Sequence, residues 1–482
     1  MAQFGKKLAE AKIWLRLNME TLQRTANRGS VSTGYDIDNS LKFEAANNES
    51  LQRAAVTGNR RTFTQSCWLK RTSPGLIQQF ICYGSFHHAT RNYISTDDKL
   101  YVEISGTPNE QYQTVTNRLF RDPAAWYHIV VAIDTTQATE SNRLKIYVNG
   151  VQETSFASEN IPAQNFDTLA NIASSPGAVF GNMGIGAFPN ASLNNRTNGY
   201  LAEAINVDGQ ALDPTSFGEV DSDSGIWKPI DVSGLTFGAN GYYLDFKDSS
   251  NLGNDASGGT DWTETNIAAI DQATDTPTNN FCTLNPLWVW TYGMGISDGA
   301  TKVANTVAAW GGAKGSIGVT NGKWYWEHSS FSGNDTFFGI QNSSGTATQA
   351  YAQAYTVGLF ANATSNIYFY DPSARTESFS FTFATSDVWG IALDLDGNTI
   401  SFYRNGSIVN SAVALDGIVG NGELFPFVSH YGSGLNSRIN LGGYTGSTIS
   451  SAASDANGYG TFEYAPPTGY LAICTKNLSE TG

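Results

Sequence analysis

Two carboxylates facing each other about 5–9 Å apart can hydrolyse a glycosidic bond, one as acid and the other as base or nucleophile. Asp394-Leu-Asp396 puts two acids on alternate residues, but it runs straight into Gly397-Asn398. Turn formation explains both aspartates. Glu203 and Asp208 lie too far apart to face each other on one strand, and no third acid follows them. For nucleophilic hydrolysis, no Gly-x-Ser-x-Gly elbow stands with a histidine and an acid in order. Of the five histidines, His128 falls in a strand as expected core, and His328 follows Trp324-Tyr-Trp326 where it would face solvent. His430 lies in the loop-like Ser429-His-Tyr-Gly-Ser433. No catalytic residue is expected.

Binding chemistry is better represented. Phe86-His-His-Ala-Thr-Arg-Asn92 gathers His87, His88 and Arg91 in an apparent loop, where they could stack on a sugar or hold a metal. The competing reading is a solvated hairpin tip. Farther on, Tyr351, Tyr368, Tyr370, Arg375, His430 and Tyr431 fall on or beside predicted strands and loops. Aromatic and arginine side chains anchor recognition surfaces. Strand alternation should nonetheless send half of these tyrosines into a core.

The elements that must position these residues are strands. Trp126-Tyr-His-Ile-Val-Val-Ala-Ile-Asp134 leads into Leu144-Lys-Ile-Tyr-Val-Asn-Gly150. Trp389-Gly-Ile-Ala-Leu-Asp-Leu-Asp396 leads in the same way into Thr399-Ile-Ser-Phe-Tyr-Arg-Asn-Gly406. Each is a Trp-led strand, an Asp-containing turn and a second strand closing on aromatic-x-Asn-Gly or its near equivalent, a tight-hairpin signal. Writing one hairpin twice predicts two β-sandwiches in series. Residues 208–278, rich in Asp, Ser, Thr and Gly, read as long loops wrapped on the first, with Trp227 and Trp262 as packing staples. Cys282-Thr-Leu-Asn285 is echoed by Cys474-Thr-Lys-Asn477, which suggests similar closing strands in two modules.

Composition agrees. Aromatic residues make up 12% and charged residues 15% of 482, the makeup of many short strands joined by polar turns. A formal net charge of −15 argues against a nucleic-acid partner, since neutralising phosphates takes basic patches. Four cysteines make no disulfide scaffold and read as buried free thiols, although Cys67 and Cys82 lie in neighbouring apolar runs. No run of about 20 apolar residues is present to span a membrane. The convincing helix is residues 3–27, where Phe4, Leu8, Ala11, Leu15, Asn18 and Leu22 follow coiled-coil spacing. It is expected to oligomerise the chain or anchor it to another protein; packing on its own domain is the alternative. Lys12, Arg16 and Glu20 interrupt what would have to be a signal-peptide core, so no export signal is expected.

Phe63-Thr-Gln-Ser-Cys-Trp-Leu-Lys70, Ala125-Trp-Tyr-His-Ile-Val-Val-Ala132 and Lys145-Ile-Tyr-Val-Asn-Gly150 resemble concanavalin A-like, laminin-G-type jelly rolls. Gly322-Lys-Trp-Tyr-Trp-Glu327, Val388-Trp-Gly-Ile-Ala-Leu-Asp394, Phe402-Tyr-Arg-Asn-Gly406 and Leu424-Phe-Pro-Phe-Val428 resemble a SPRY (B30.2-type) domain, itself a concanavalin-like sandwich. Phe120-Arg-Asp-Pro-Ala-Ala-Trp-Tyr-His128, Asp208-Gly-Gln-Ala-Leu212 and Asp275-Thr-Pro-Thr-Asn-Asn-Phe-Cys-Thr-Leu-Asn285 resemble segments of fibre and other virion proteins of tailed bacteriophages. The glucanases of the first fold carry Glu-x-Asp-x-(x)-Glu on one strand, a run missing from this sequence. The laminin-G likeness implies Ca²⁺ as a possible ligand, with Asp97, Asp98, Asp221 and Asp223 offering the hard oxygens it prefers. No other cofactor is implied. The SPRY likeness implies partner binding through rim loops.

The expected architecture is therefore all-β: a helix over 1–29, a concanavalin A-like sandwich over 30–286 and a SPRY-like sandwich over 287–482. The expected protein is a phage tail or head fibre or appendage on the virion surface, made in the host cytoplasm and released by lysis. It would form a homo-oligomer, with a trimer favoured, contact other virion proteins and bind a host-surface glycan or receptor without inserting in a membrane. A purely structural cement protein and a polysaccharide depolymerase are the alternatives.

Overall fold

The computed structural model describes residues 34–482 apart from 86–87, 107–109, 174–180, 190–195, 291–292, 346–354, 363–365, 371–375, 416–417, 419–421 and 482. The N-terminal helix expected over 1–29, with Phe4, Leu8, Ala11, Leu15, Asn18 and Leu22, lies outside the described residues. Four antiparallel sheets stack in two pairs.

In the first sandwich one sheet runs Val151–Gln152, Leu144–Val148, Trp126–Asp134, Thr62–Arg71, Gly199–Asp208, Ser40–Phe43 and Gln272–Ala273, with Tyr242–Leu244 beside Gly199–Asp208. The facing sheet runs Phe156–Ser158, Gln111–Leu119, Lys99–Ser105, His88–Ile94, Gln78–Ser85, Asn182–Ile185, Ser50–Ala54 and Thr263–Thr265. Alternate residues of both, among them Leu41, Phe63, Leu69, Phe80, Ile94 and Ile129, meet in one core. The second sandwich pairs a sheet from Leu284–Trp290 through Trp310–Gly315, Leu424–Tyr431, Thr336–Asn342, Thr356–Ala361 and Asn366–Tyr370 to Thr376–Thr382 with another. That other sheet runs Met294–Ser297, Lys302–Asn305, Asn436–Asn440, Lys323–Ser329, Trp389–Asp394, Thr399–Arg404 and Ser407–Ala414. Trp324, Trp326, Phe338 and Trp389 fill its core.

The repeated hairpin is present in both sandwiches. Asn149-Gly150 and Asn405-Gly406 adopt positive φ, 48° and 77° in the first and 49° and 77° in the second, as a type I′ turn demands. Each asparagine also reaches back across the ladder. Asn149 Oδ1 accepts the His128 N–H at 2.8 Å, and Asn405 Oδ1 accepts the Val388 N–H at 2.9 Å. Glycine is required next, because a Cβ at Gly150 would sit 2.3 Å from the Trp227 ring and one at Gly406 2.6 Å from Tyr464.

The tryptophans, however, are not equivalent. Matching the asparagine partners aligns His128 with Val388, and so Ile129 with Trp389. Trp389 accordingly packs between its two sheets, whereas Trp126 faces outward beside Trp68 and Tyr200. An offset of three residues changes the strand face, because side chains alternate with period two.

Two further expectations are corrected. Residues 208–278 contain short strands rather than only loops: Gly218–Val220 pairs with Trp227–Pro229, and Tyr242–Leu244, Thr263–Thr265 and Gln272–Ala273 extend the main sheets. Trp227 and Trp262 are buried there as staples. The two Cys-Thr-x-Asn segments do not close separate modules but pair with each other. Phe281 bridges Cys474, the Cys282 N–H donates to Ile473 O at 2.9 Å, and the Thr475 N–H donates to Asn280 O at 3.0 Å. All four cysteines are buried and free.

Candidate functional site

Outward-facing residues of the first sandwich form a buried polar junction with the second. Lys42, 1% exposed, places Nζ 2.8 Å from Glu49, 2.8 Å from Asp271 and 3.1 Å from Asp298. Burial alone would discharge this lysine, but Asp298, Glu49 and Asp271 together push it up to about 12. Asp298, from the second sandwich, also accepts Tyr444 Oη–H at 2.9 Å and an Arg438 guanidinium N–H. Tyr200 Oη–H donates to Gly299 O at 2.6 Å, and a Cβ on Gly299 would collide with that hydroxyl at 2.2 Å.

A second node ties the connecting segment down. Lys70 Nζ donates to Asp275 Oδ2 at 2.6 Å, Asn280 Oδ1 at 2.7 Å and Phe281 O at 2.9 Å. Asp275 Oδ1 accepts Trp126 Nε1–H and the Phe281 N–H, both at 3.1 Å. Asn280 Nδ2 reaches Ala124 O at 2.6 Å. The loop 121–124 is thereby fixed against the start of the second sandwich.

Between that loop and the edge strand Leu284–Trp290 lies a groove of about 480 Å³, lined by Arg121, Asn285, Trp288, Ser343, Glu423 and Phe425 among others. Trp288 is 45% exposed in it and Leu287 55%. The indole leans on Phe425, with centroids 5.8 Å apart, and Lys314 Nζ lies 4.3 Å from its ring centre. Lys314 is buried and donates to Asn342 O and Gly345 O, each at 2.8 Å. With no carboxylate partner among the described residues, it is lowered by burial to about 8.

Residues 22–184 match the concanavalin A-like lectin/glucanases superfamily in its laminin-G form, and residues 311–444 match the SPRY domain. The chain carries a concanavalin A-like domain followed by a SPRY domain. Solved structures similar to it include the SPRY domain of human HERC1, 21% identical over 32% of this chain and 96% of that one, with a TM-score of 0.27. The TRIM65 PSpry domain is 14% identical over 33% and 89%, also with a TM-score of 0.27. No curated protein matches the chain. Domains of these two kinds are usually non-catalytic binding domains.

The residues singled out in the sequence do not converge on one place. His87, Tyr351 and Arg375 lie outside the described residues. Tyr368 and Tyr370 stand on Asn366–Tyr370 of the SPRY domain. His88 opens the strand His88–Ile94, so residues 88–92 of the expected loop are strand, and Arg91 within it is buried. Its guanidinium pairs with Glu103 Oε2 at 2.8 and 3.1 Å and stacks on Tyr93 and Phe188, leaving no face for a ligand. His430 is fully buried between Thr336 Oγ1 at 2.9 Å and Ser437 Oγ at 3.0 Å. His328 is buried too, contrary to expectation, accepting Trp326 Nε1–H at 3.2 Å. The reason is alternation: Trp324, Trp326 and His328 share the core face. Tyr431 is exposed, at 45%, beside Trp310 at 5.6 Å.

The acids have structural partners. Asp98 accepts from Arg71 Nη1 at 2.9 Å, the Gly75 N–H at 2.7 Å and Arg121 Nε at 2.9 Å. Asp97 accepts Tyr101 Oη–H at 3.2 Å. Asp221 caps its own turn through the Asp223 and Ser224 N–H groups and pairs with Lys228 at 3.1 Å, while Asp223 projects outward. Among the described residues no three His, Cys, Asp or Glu side chains are grouped to hold a metal. Asp394 accepts the Gly397 N–H at 2.7 Å, as a turn former does, while Asp396 accepts the Gly322 N–H at 2.9 Å from the loop before Lys323–Ser329. Glu203 is buried alone between Tyr35 Oη and Tyr243 Oη at 2.7 and 2.9 Å, and burial pushes it up to about 7. Sequence reasoning missed the groove. Its one linear sign is Leu287-Trp-Val-Trp290, four apolar residues in a row after Pro286 on an edge strand, where alternation calls for two.

Proposed function

We propose that this chain is a virion appendage protein of a tailed bacteriophage whose paired β-sandwiches bind a host-surface glycan or receptor. The observation that carries the reading is the groove at the domain junction, walled by both sandwiches and lined by an exposed indole. Its walls are held by buried ion pairs, so little ordering cost accompanies binding. Many copies on a particle would turn a weak single site into firm adhesion. The segment 1–29 supplies attachment or self-association in this reading.

The test uses the full chain. Size measurement with and without residues 1–29 is expected to show an oligomer collapsing to a monomer with unchanged β-type circular dichroism. The oligomer is expected to bind host cells saturably and to compete with phage adsorption. Saturable binding lacking in the intact oligomer would leave the cement reading standing instead. Cutting the chain at residue 286 is a poor alternative, because it strips Asp298 from Lys42 and Cys474–Asn477 from the connecting segment.

A further inference from the structure

We infer that the junction groove takes an uncharged saccharide ring, stacked on Trp288 and hydrogen-bonded between Arg121 and Glu423. This inference rests on the receptor-binding reading above and assigns it a site and a ligand class.

Trp288 is built as a platform. Lys314 Nζ lies 4.3 Å from the centre of the indole and Phe425 leans on it at 5.8 Å, while 45% of Trp288 stays exposed where it lines the groove. A flat apolar surface of this size beside polar groups suits a pyranose ring, which carries C–H bonds on its faces and hydroxyls around its rim. The polar groups are in place. Arg121 spends Nε on Asp98 at 2.9 Å, and its terminal nitrogens keep their donors, with the side chain 58% exposed. Glu423 is exposed, and its carboxylate has no ion pair among the described residues, which leaves an acceptor. Asn285, which also lines the groove, has Oδ1 occupied by the Leu287 N–H at 2.9 Å and offers its amide NH₂ as the donor.

Charge sets the ligand class. Arg121, Asp122 and Glu423 all line the groove, and the chain carries a formal −15. An acidic polysaccharide would meet both Glu423 and that overall field, so a neutral sugar is favoured. An extended peptide fits less well. Leu284–Trp290 is the outer strand of its sheet, but Pro286 removes a backbone donor and the register shifts between Leu284 and Val289. Both features blunt strand addition.

The experiment is a glycan array printed with neutral hexose and N-acetylhexosamine oligosaccharides and with uronate-containing ones, probed with the full chain. Titration calorimetry follows on the best neutral glycan. Trp288→Ala is expected to weaken binding at least tenfold, and Trp288→Phe to stay within about threefold of wild type. Ile408→Ala, exposed on the edge strand Ser407–Ala414 of the other SPRY sheet, is expected to leave binding unchanged. Trp288 is a surface residue, so circular dichroism of the variants should match wild type. Equal affinity of wild type and Trp288→Ala overturns the site while leaving the receptor reading intact. Binding confined to uronate glycans, or Trp288-dependent capture from a peptide array with none from the glycans, overturns the ligand class. No saturable binding to any glycan or to host cells sinks both this inference and the receptor reading.

Discussion

Replacing Asp275 with alanine should be among the most damaging single changes in the chain. The carboxylate is 1% exposed and accepts from Lys70 at 2.6 Å, Trp126 at 3.1 Å and the Phe281 N–H at 3.1 Å. Its loss leaves a fully buried ammonium with only Asn280 Oδ1 and Phe281 O, and an indole N–H with nothing. Breaking a buried pair by removing one partner costs about 3–5 kcal/mol. The orphaned indole N–H belongs within that figure, because one desolvated site is being counted and its contacts do not add. With a urea slope of about 3 kcal/mol/M, the midpoint of the transition that unfolds the concanavalin A-like domain should fall by about 1–1.7 M. Tryptophan fluorescence at pH 7 reads this directly, since Trp68 and Trp126 flank the site. A double variant, Asp275→Ala with Lys70→Met, should recover most of the loss, because no charge then stays buried. A single variant whose midpoint moves by less than about 0.3 M would refute the argument, as would a double variant no better than the single.

Two other predictions use the same unfolding assay. Asn149→Ala and Asn405→Ala each lose a residue tolerant of positive φ and a hydrogen bond across the hairpin, and should each cost about 2 kcal/mol, additively because they lie in different domains; Asn→Gly at either site should cost about half as much. The pH dependence should show two opposed trends. His128, His328 and His430 are each lowered by burial from 6.5 to about 3, so the stability of their neutral forms is complete above pH 6.5 and is lost as pH falls towards 3. Glu203 runs the other way: raised from 4.5 to about 7, it contributes fully below pH 4.5 and the contribution is lost as pH rises to 7. Glu203→Gln should therefore flatten the decline between pH 4.5 and 7 while leaving the acid limb of the histidines intact.

Much of the fold was legible because its signals are local. Asn-Gly turns, Trp-led alternation and the Lys323-Trp-Tyr-Trp-Glu327 run identify strands wherever they occur. What failed depended on register or on distant pairing. Trp126 and Trp389 look equivalent in sequence, but an offset of three residues sends one to the junction and the other to the core. The strands within 208–278 are two or three residues long, too short for any period; three of them add to sheets already formed, and Gly218–Val220 pairs with Trp227–Pro229 as a ribbon of its own. His328 and His430 look accessible in a polar context, yet each lies on the core side of its strand. The groove was the least legible feature, because Arg121 joins Trp288 and Glu423 only when two domains dock.

That docking explains why the site belongs to the junction rather than to either sandwich. A hinge needs an interface that opens at small cost, and separating these domains would expose Lys42, Asp298 and Glu44 together with the tyrosine hydroxyls of Tyr200 and Tyr444. Rehydration would return part of that cost, but Lys42 would lose Asp298, one of its three close carboxylates, and Asp298 would lose Lys42 while keeping Arg438. The pair is weak evidence for stability in itself, since apolar residues could pack there equally well. Its consequence is orientation: directional bonds fix one docking angle where an apolar seam would allow several. A groove whose walls come from separate domains keeps its shape only if that angle is fixed. The buried charges are thus the structural condition for the Trp288 platform and the Arg121 donors to keep lining one groove.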